Sequence, residues 1–409
     1  MYKQIIDRLP PMMAGNELTD ALRVLPDYDT NIIHAPVPTR LMAMSDMYKI
    51  YEPSKMSVEI YSKLYLGLIR SLQKKGTRMA MLQQIENRKA VLGADYNGIM
   101  GGVDSFTVIG ESGIGKSAAI SRAIALMNGE RVIVTEQPYL KLLPVCCVQC
   151  PFDSSVKGML LEILRKVDEA LGSNYNSNAL RGRMTTDMLI GSVSQVCLNH
   201  IGLLIVDEIQ NVVSSKNGRN LVGALTQLIN NSGISICMVG TPESSIFFES
   251  QLYIARRSLG LQFGAMQYDD SFRTLCRTLL SYRYVGEHYD ITEGMLRWLH
   301  GHSGGNISAL VSLIHDAQEN AIIGGTERLD MAALHDAYDR NLSFLHDHIR
   351  IPESAILPKP KRQSISIPEK DVPSFQAIGI EEVVRRAKAT GTDALQRVKE
   401  FITVEEVSV

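Results

Sequence analysis

The chain has 409 residues, 45% of them apolar and 21% charged, and a formal net charge of −2. The composition is that of an ordinary globular protein, and the charge excludes a uniformly basic nucleic-acid coat, so any contact with nucleic acid must come from a local cluster of cations. Six cysteines at irregular spacings, and no apolar run near the roughly 18 residues of a membrane span, set the expectation of a soluble bacterial cytoplasmic protein with reduced thiols.

Residues 1–55 carry Pro10, Pro11, Pro26, Pro36, Pro38 and Pro53 between stretches rich in Ile, Leu, Met and Tyr. They read as an N-terminal arm, too apolar for disorder, that packs on the main body or reaches out from it. Residues 56–81 turn helical, with Ile60, Leu64, Leu68 and Leu72 at i+4 steps. This lead-in opens an expected α/β core over residues 56–285.

The core is organised by Gly110-Glu111-Ser112-Gly113-Ile114-Gly115-Lys116-Ser117, followed by Ala118. The apolar run Ser105–Ile109 before it predicts a buried strand, and the run after it predicts a helix. Strand, glycine loop and helix are the context in which G-x-x-x-x-G-K-[ST] acts as a phosphate-binding loop. Glycines let successive N–H groups turn inward, and the helix adds its free N–H groups and the positive end of its dipole. In that geometry Lys116 reaches the β- and γ-phosphates of ATP, and Ser117 holds Mg²⁺.

A second core strand is expected over Leu140–Cys150, then a helix with Val156, Leu160, Ile163, Leu164, Val167 and Leu171 on one face. Cys147 and Cys150 form a C-x-x-C pair, but no second pair or paired histidines follow at ligand spacing. Cys146, Cys147 and Cys150 are therefore read as buried strand thiols rather than a metal site. Residues 173–187 read as a loop, and a helix over Thr186–His200 leads into Leu203-Leu204-Ile205-Val206-Asp207-Glu208. Four apolar residues followed by two carboxylates are the Walker B pattern, with Asp207 serving Mg²⁺ and Glu208 orienting the attacking water. A P-loop with an adjacent acidic pair argues for hydrolysis and not only binding. A polar loop at 211–219 and a helix over Leu221–Asn230 precede Ile234–Val239, a buried strand ending at Thr241, which is placed to contact the γ-phosphate or the lytic water. Arg256 and Arg257 follow, read either as a solvated helix end or as a finger reaching a neighbouring subunit's γ-phosphate.

Residues 286–350 switch to helices and read as a small α-helical lid. Beyond 351, Pro352, Pro358, Pro360, Pro368 and Pro373 alternate with cations and mark a linker. Helical periodicity returns over Gly379–Ile402, so 351–409 reads as a linker and partner-binding tail, the competing reading being a helix folded back on its own body.

The assembled pattern resembles an AAA+ ATPase. Cys150–Met159, Val167–Tyr175 and Ile205–Asn211 look more closely like TnsC, the AAA+ regulators of Tn7-like transposons, and their TniB relatives. The resemblance covers roughly residues 45–345. It implies an ATPase that forms rings or filaments around double-stranded DNA, sequence-independently, and couples a target-selector protein to the transposase. It implies phosphate binding at Gly110–Ser117, sensor 1 at Thr241 and a trans-acting finger at Arg256 or Arg257. It also departs from many AAA+ lids, because Gly304-Gly305-Asn306-Ile307-Ser308 has a serine where the sensor 2 arginine would sit. Lys157, Arg181 and Arg183 are the candidate phosphate-backbone contacts, against the alternative of a solvated helix face. The competing functions are another DNA-associated AAA+ ATPase, such as an IstB-like helper or a replication initiator, and a STAND-type signalling ATPase.

Overall fold

The computed structural model describes residues 2–100, 105–136, 139–245, 260–287 and 289–342. Arg256, Arg257 and the tail at 351–409 lie outside them. A six-stranded sheet forms the centre: β1 (Phe106–Gly110), β2 (Ile133–Glu136), β3 (Tyr139–Gln149), β4 (Ile201–Asp207), β5 (Ser235–Gly240) and β6 (Leu261–Phe263). Their order across the sheet is β2-β3-β4-β5-β1-β6. All pairings are parallel except β2 with β3, where Ile133 faces Leu142 and Glu136 faces Tyr139. Every residue of β1 and β5 is buried, as expected of inner parallel strands covered on both faces.

One face of the sheet is covered by the helices Val156–Leu171, Thr186–His200 and Gly218–Ser232, whose apolar sides pack on Val148, Leu204, Ile236 and Met238. The other face is covered by Lys55–Lys75 and Lys116–Met127, around Phe106, Val108, Leu203 and Ile205. The helix Val156–Leu171 starts where Ser155 accepts a hydrogen bond from the Gly158 N–H at 3.2 Å, and ends at Gly172. The helices Asp270–Ser281, Glu293–Ser303, Ile307–Ile323 and Met331–Ala337 build a separate apolar cluster around Phe272, Leu299, Leu313 and Ile314.

The N-terminal residues are spread over both clusters. Tyr2, Ile5, Leu9, Leu18 and Leu22 are buried against the body, and Met44 and Met47 against the C-terminal helices. Tyr2 donates to the Leu198 carbonyl at 3.1 Å, and Tyr65 to the Pro10 carbonyl at 2.8 Å. Farther along, Tyr282 donates to the Pro26 carbonyl at 2.9 Å, and Arg40 grips both Glu327 oxygens at 2.6 Å. Val24 and Tyr51 then close an antiparallel bridge that returns the segment to the body.

Several local features differ from the sequence reading. The short strand β2 precedes the expected second strand and pairs with its start. The helix Tyr175–Arg181 occupies part of the expected loop. Cys146 on β3 and Cys150 just after it are buried in the same apolar cluster, but Cys147 projects to the other face of the strand and is exposed. The one group of metal-ligating side chains among the described residues is His315, Asp316 and Glu319, which involves none of the cysteines. No helix among the described residues is long and apolar enough to cross a membrane.

Lys75 is a buried cation in this core. Its ammonium donates to the carbonyls of Cys197, at 2.7 Å, and Ile201. These carbonyls lie where the Thr186–His200 helix passes into β4, so the cation meets the negative end of that helix dipole. Burial nevertheless pulls its pKa down to about 7. The unfolded chain therefore binds more protons than the folded one between about pH 7 and the ordinary lysine value, and stability rises with pH across that window by up to about 1.4 kcal/mol per pH unit. Unfolding measured from pH 7 to 9 should show this rise in the parent protein, and Lys75→Met should remove it.

Candidate nucleotide site

The strand order sets three loops side by side. β5 lies between β4 and β1, so the turns after all three open on the same C-terminal edge, where ligands of parallel α/β sheets bind. The glycine loop follows β1, Asp207 and Glu208 follow β4, and Thr241 follows β5.

Gly113 and Gly115 take left-handed backbone angles, with φ of 81° and 92°, which curl the loop into its helix. A Cβ on Gly113 would also meet the Asn306 side-chain oxygen at 2.5 Å. Ser112, Gly113, Gly115, Lys116, Ser117 and Ala118 line a cleft of about 410 Å³. Ile114 turns into the core, and Gly110 and Glu111 contribute carbonyls that each accept from the Lys116 ammonium at 2.7 Å. Burial holds the Lys116 pKa below the ordinary lysine value, opposed by the negative charges of Asp207, Glu208 and Glu111.

The Ser117 hydroxyl lies 3.5 Å from an Asp207 oxygen, and both line the cleft. The other Asp207 oxygen accepts from the Glu208 N–H at 2.8 Å. Glu208 has φ of 56°, a left-handed value uncommon for a side chain of its size, and its carboxylate accepts from the Gln210 amide. Thr241 also lines the cleft, and its side-chain hydrogen bond holds the Glu243 carboxyl below the usual range. The site thus brings the glycine loop's backbone, the Lys116 ammonium and the Ser117 hydroxyl together with the carboxylates of Asp207 and Glu208, and Glu52 adds a third carboxylate to the lining. Hydroxyl and carboxylate oxygens suit Mg²⁺, and the cradle suits a polyphosphate.

Sequence reasoning missed the remaining walls. Tyr48, Ile50, Tyr51, Met56 and Ser57 bring the N-terminal segment to the cleft, and Gln210 reaches it from the turn after Glu208. The Ile307–Ile323 helix closes another side, with Ile307, Ser308 and Val311. Asn306 caps this helix by accepting from the Ala309 N–H at 3.2 Å, and donates to the Ser112 carbonyl at 2.7 Å. The Ser308 N–H donates to the Gly113 carbonyl at 2.9 Å. The serine at the expected sensor 2 position therefore touches the loop through its backbone, and this helix contains no arginine or lysine. A Gly-Gly-Asn sequence opening an apolar run was the available signal, since Asn is a strong N-cap.

The three candidate DNA contacts are exposed. Lys157 lies in the first turn of Val156–Leu171, Arg181 ends Tyr175–Arg181, and Arg183 follows with φ of 47°. None forms an ion pair among the described residues.

Residues 102–245 match the family described as an AAA domain. The fold is that of an AAA+ P-loop NTPase. The comparison with curated proteins finds no match. Among solved structures, the chain is similar to the Aeropyrum pernix ORC1 protein in complex with DNA, at 12% identity over 64% of each chain, with a TM-score of 0.43. The alignment thus leaves more than a third of that protein unmatched. The chain is also similar to the Aeropyrum pernix ORC2 protein with ADPNP and ADP, at 17% identity over 79% of this chain and 78% of that one, with a TM-score of 0.41. Drosophila ORC bound to DNA is similar at 12% identity over 99% of this chain and 88% of that one, with a TM-score of 0.40.

Replacing Asn306 separates its two roles. Asn306→Ala should cost about 1 kcal/mol through the lost cap and speed amide exchange at Ser308. Asn306→Asp keeps the capping oxygen but turns the donor to Ser112 into a carboxylate oxygen that the carbonyl repels, so it should keep the cap's stability while speeding that exchange. Chemical unfolding and hydrogen exchange read the two effects independently.

Proposed function

We propose that this protein is an ATP-dependent regulator of DNA transposition, which assembles as a homo-oligomer on double-stranded DNA and couples a target-selector protein to a transposase. The observation that carries its ATPase part is the meeting of Lys116, Ser117, Asp207 and Glu208 in one cleft at the edge of the sheet. The transposition part rests on the resemblance of Cys150–Tyr175 and Ile205–Asn211 to TnsC proteins.

The loop N–H groups and Lys116 bind the β- and γ-phosphates of ATP. To do so, the ammonium exchanges the carbonyls of Gly110 and Glu111 for phosphate oxygens. Ser117 and Asp207 hold Mg²⁺, which neutralises phosphate charge when bound. Glu208 orients the attacking water once its carboxylate leaves the Gln210 amide. Thr241 supports that water or the γ-phosphate from β5. Arg256 or Arg257 of a neighbouring copy supplies the remaining positive charge in the transition state. Tyr48, Ile50 and Tyr51 cover the cleft from the N-terminal side. The DNA contacts are sequence-independent, through Lys157, Arg181 and Arg183 to phosphates, repeated around the assembly.

Lys116→Ala should abolish ATP binding. Glu208→Gln should keep binding and slow hydrolysis by about 10²-fold or more. The assembly is tested by sedimentation of the full chain with and without duplex DNA, in ATP, a slowly hydrolysed analogue and ADP. Large DNA-dependent species in the triphosphates, lost in ADP, are expected. An oligomer that responds to nucleotide and ignores DNA would overturn the regulator reading in favour of a signalling ATPase. DNA-dependent assembly in a protein that neither binds nor stimulates a co-encoded transposase would point to an initiator or helper ATPase.

A further inference from the structure

Two loops from distant parts of the chain are locked together on the edge of the sheet that carries the nucleotide cleft. The first is the turn between β3 and Val156–Leu171, and the second runs from Asn211 to Arg219 after β4. The Asp153 carbonyl accepts from the Ser215 hydroxyl at 2.8 Å and from the Asn217 amide at 3.2 Å. The Ser154 hydroxyl donates to the Asn211 carbonyl at 3.1 Å, and the Asn211 amide donates to the Cys150 carbonyl at 2.9 Å. Ser154 is fully buried and holds φ of 50°, so the turn is fixed from below.

What this fixed turn presents outward is unusual. Phe152 is 88% exposed, more than any other large apolar side chain among the described residues. On the paired loop, Lys216 lies between the two residues bonded to the Asp153 carbonyl and Arg219 follows in the next turn, and Lys157 lies in the first turn of the helix after Phe152. All three cations are exposed and form no ion pair among the described residues. The neighbouring Asp153 carboxylate is turned back to accept from the Ser155 N–H at 3.0 Å. An apolar ring held rigidly in solvent is costly unless something covers it.

We infer that the paired loops form a duplex-binding platform in which Lys157, Lys216 and Arg219 meet backbone phosphates and Phe152 lies against the sugar edge. This rests on the DNA-binding reading above and adds Phe152, Lys216 and Arg219 to it. Cations flanking an exposed ring match the alternation of phosphate and sugar along a nucleic-acid strand, and such contacts read no sequence. The platform is also tied to hydrolysis chemistry. The Cys150 N–H donates to the Asp207 carbonyl at 2.8 Å, and the Asn211 N–H to the Glu208 carbonyl at 3.1 Å. A load on the platform therefore bears directly on the backbone that sets Glu208.

The test is a salt titration of duplex affinity, using the full chain with a slowly hydrolysed ATP analogue. For the double variant Lys216→Ala/Arg219→Ala, affinity should fall at least about tenfold, and the slope of log affinity against log salt should shrink by about two. Phe152→Ala should weaken binding several-fold and leave the slope unchanged. Lys216→Arg/Arg219→Lys should restore both quantities, and the rise in melting temperature with nucleotide verifies that each variant is folded. A folded double variant that binds as the parent does, with the parent's slope, overturns the platform and leaves the DNA reading standing. A parent protein that binds no duplex in any nucleotide state overturns both.

Discussion

The half-buried Lys116 ammonium is the charge on which the cleft depends. Removing it from water is unfavourable, and the structure compensates in two ways. The carbonyls of Gly110 and Glu111 solvate it directly, while Asp207, Glu208 and Glu111 surround it with negative charge. That environment is well matched but replaceable, since phosphate oxygens can take over from the carbonyls as acceptors of the ammonium. The three strands then have to be ordered so that carboxylates from β4 arrive beside a loop from β1, and β5 between them provides that spacing.

Much of this was legible in the sequence because it is local. A strand, a glycine loop and a helix are contiguous, so the loop's conformation follows from Gly113 and Gly115 alone. Four apolar residues ending in Asp207 and Glu208 announce a buried strand that emerges at a polar edge. The helices after it declare themselves by apolar spacing and by their caps. Short pieces did not: β2 has only four residues, and although Val132-Ile133-Val134-Thr135 is a β-branched run that suits a strand, its length alone does not set it apart from the turn around it. Cys147 was misjudged because an apolar run suggests burial on both faces, whereas the helices behind β3 cover its other side.

The rest of the site was hidden because it is assembled from distant segments. Nothing near Tyr48 or Tyr51 indicates that they will form a wall of the cleft, since that depends on the chain crossing to the C-terminal helices and returning through the Val24–Tyr51 bridge. Asn306 similarly reads as an ordinary helix cap until Ser112 is found 2.7 Å from it. Gln210 looks like the start of a polar turn, and its hold on Glu208 follows from the left-handed backbone at that glutamate. In each instance the residue type was visible and the partner was not.

The path of the first 50 residues has a consequence for how the protein is made. Tyr2 finds its acceptor 196 positions later, and Arg40 finds Glu327 after 287. At a synthesis rate of about 5–20 residues per second, the earliest segment waits on the order of tens of seconds for its partners to leave the ribosome. During that interval Ile5, Leu18 and Leu22 can already pack on the helices Lys55–Lys75 and Lys116–Met127, but Met44 and Met47, fully buried at the end, still lack the C-terminal helices that cover them. Contacts of such long sequence separation also slow the search once the chain is complete. The same strap that joins body and C-terminal helices in the finished molecule thus leaves part of its apolar surface exposed on the nascent chain until the last helices are made.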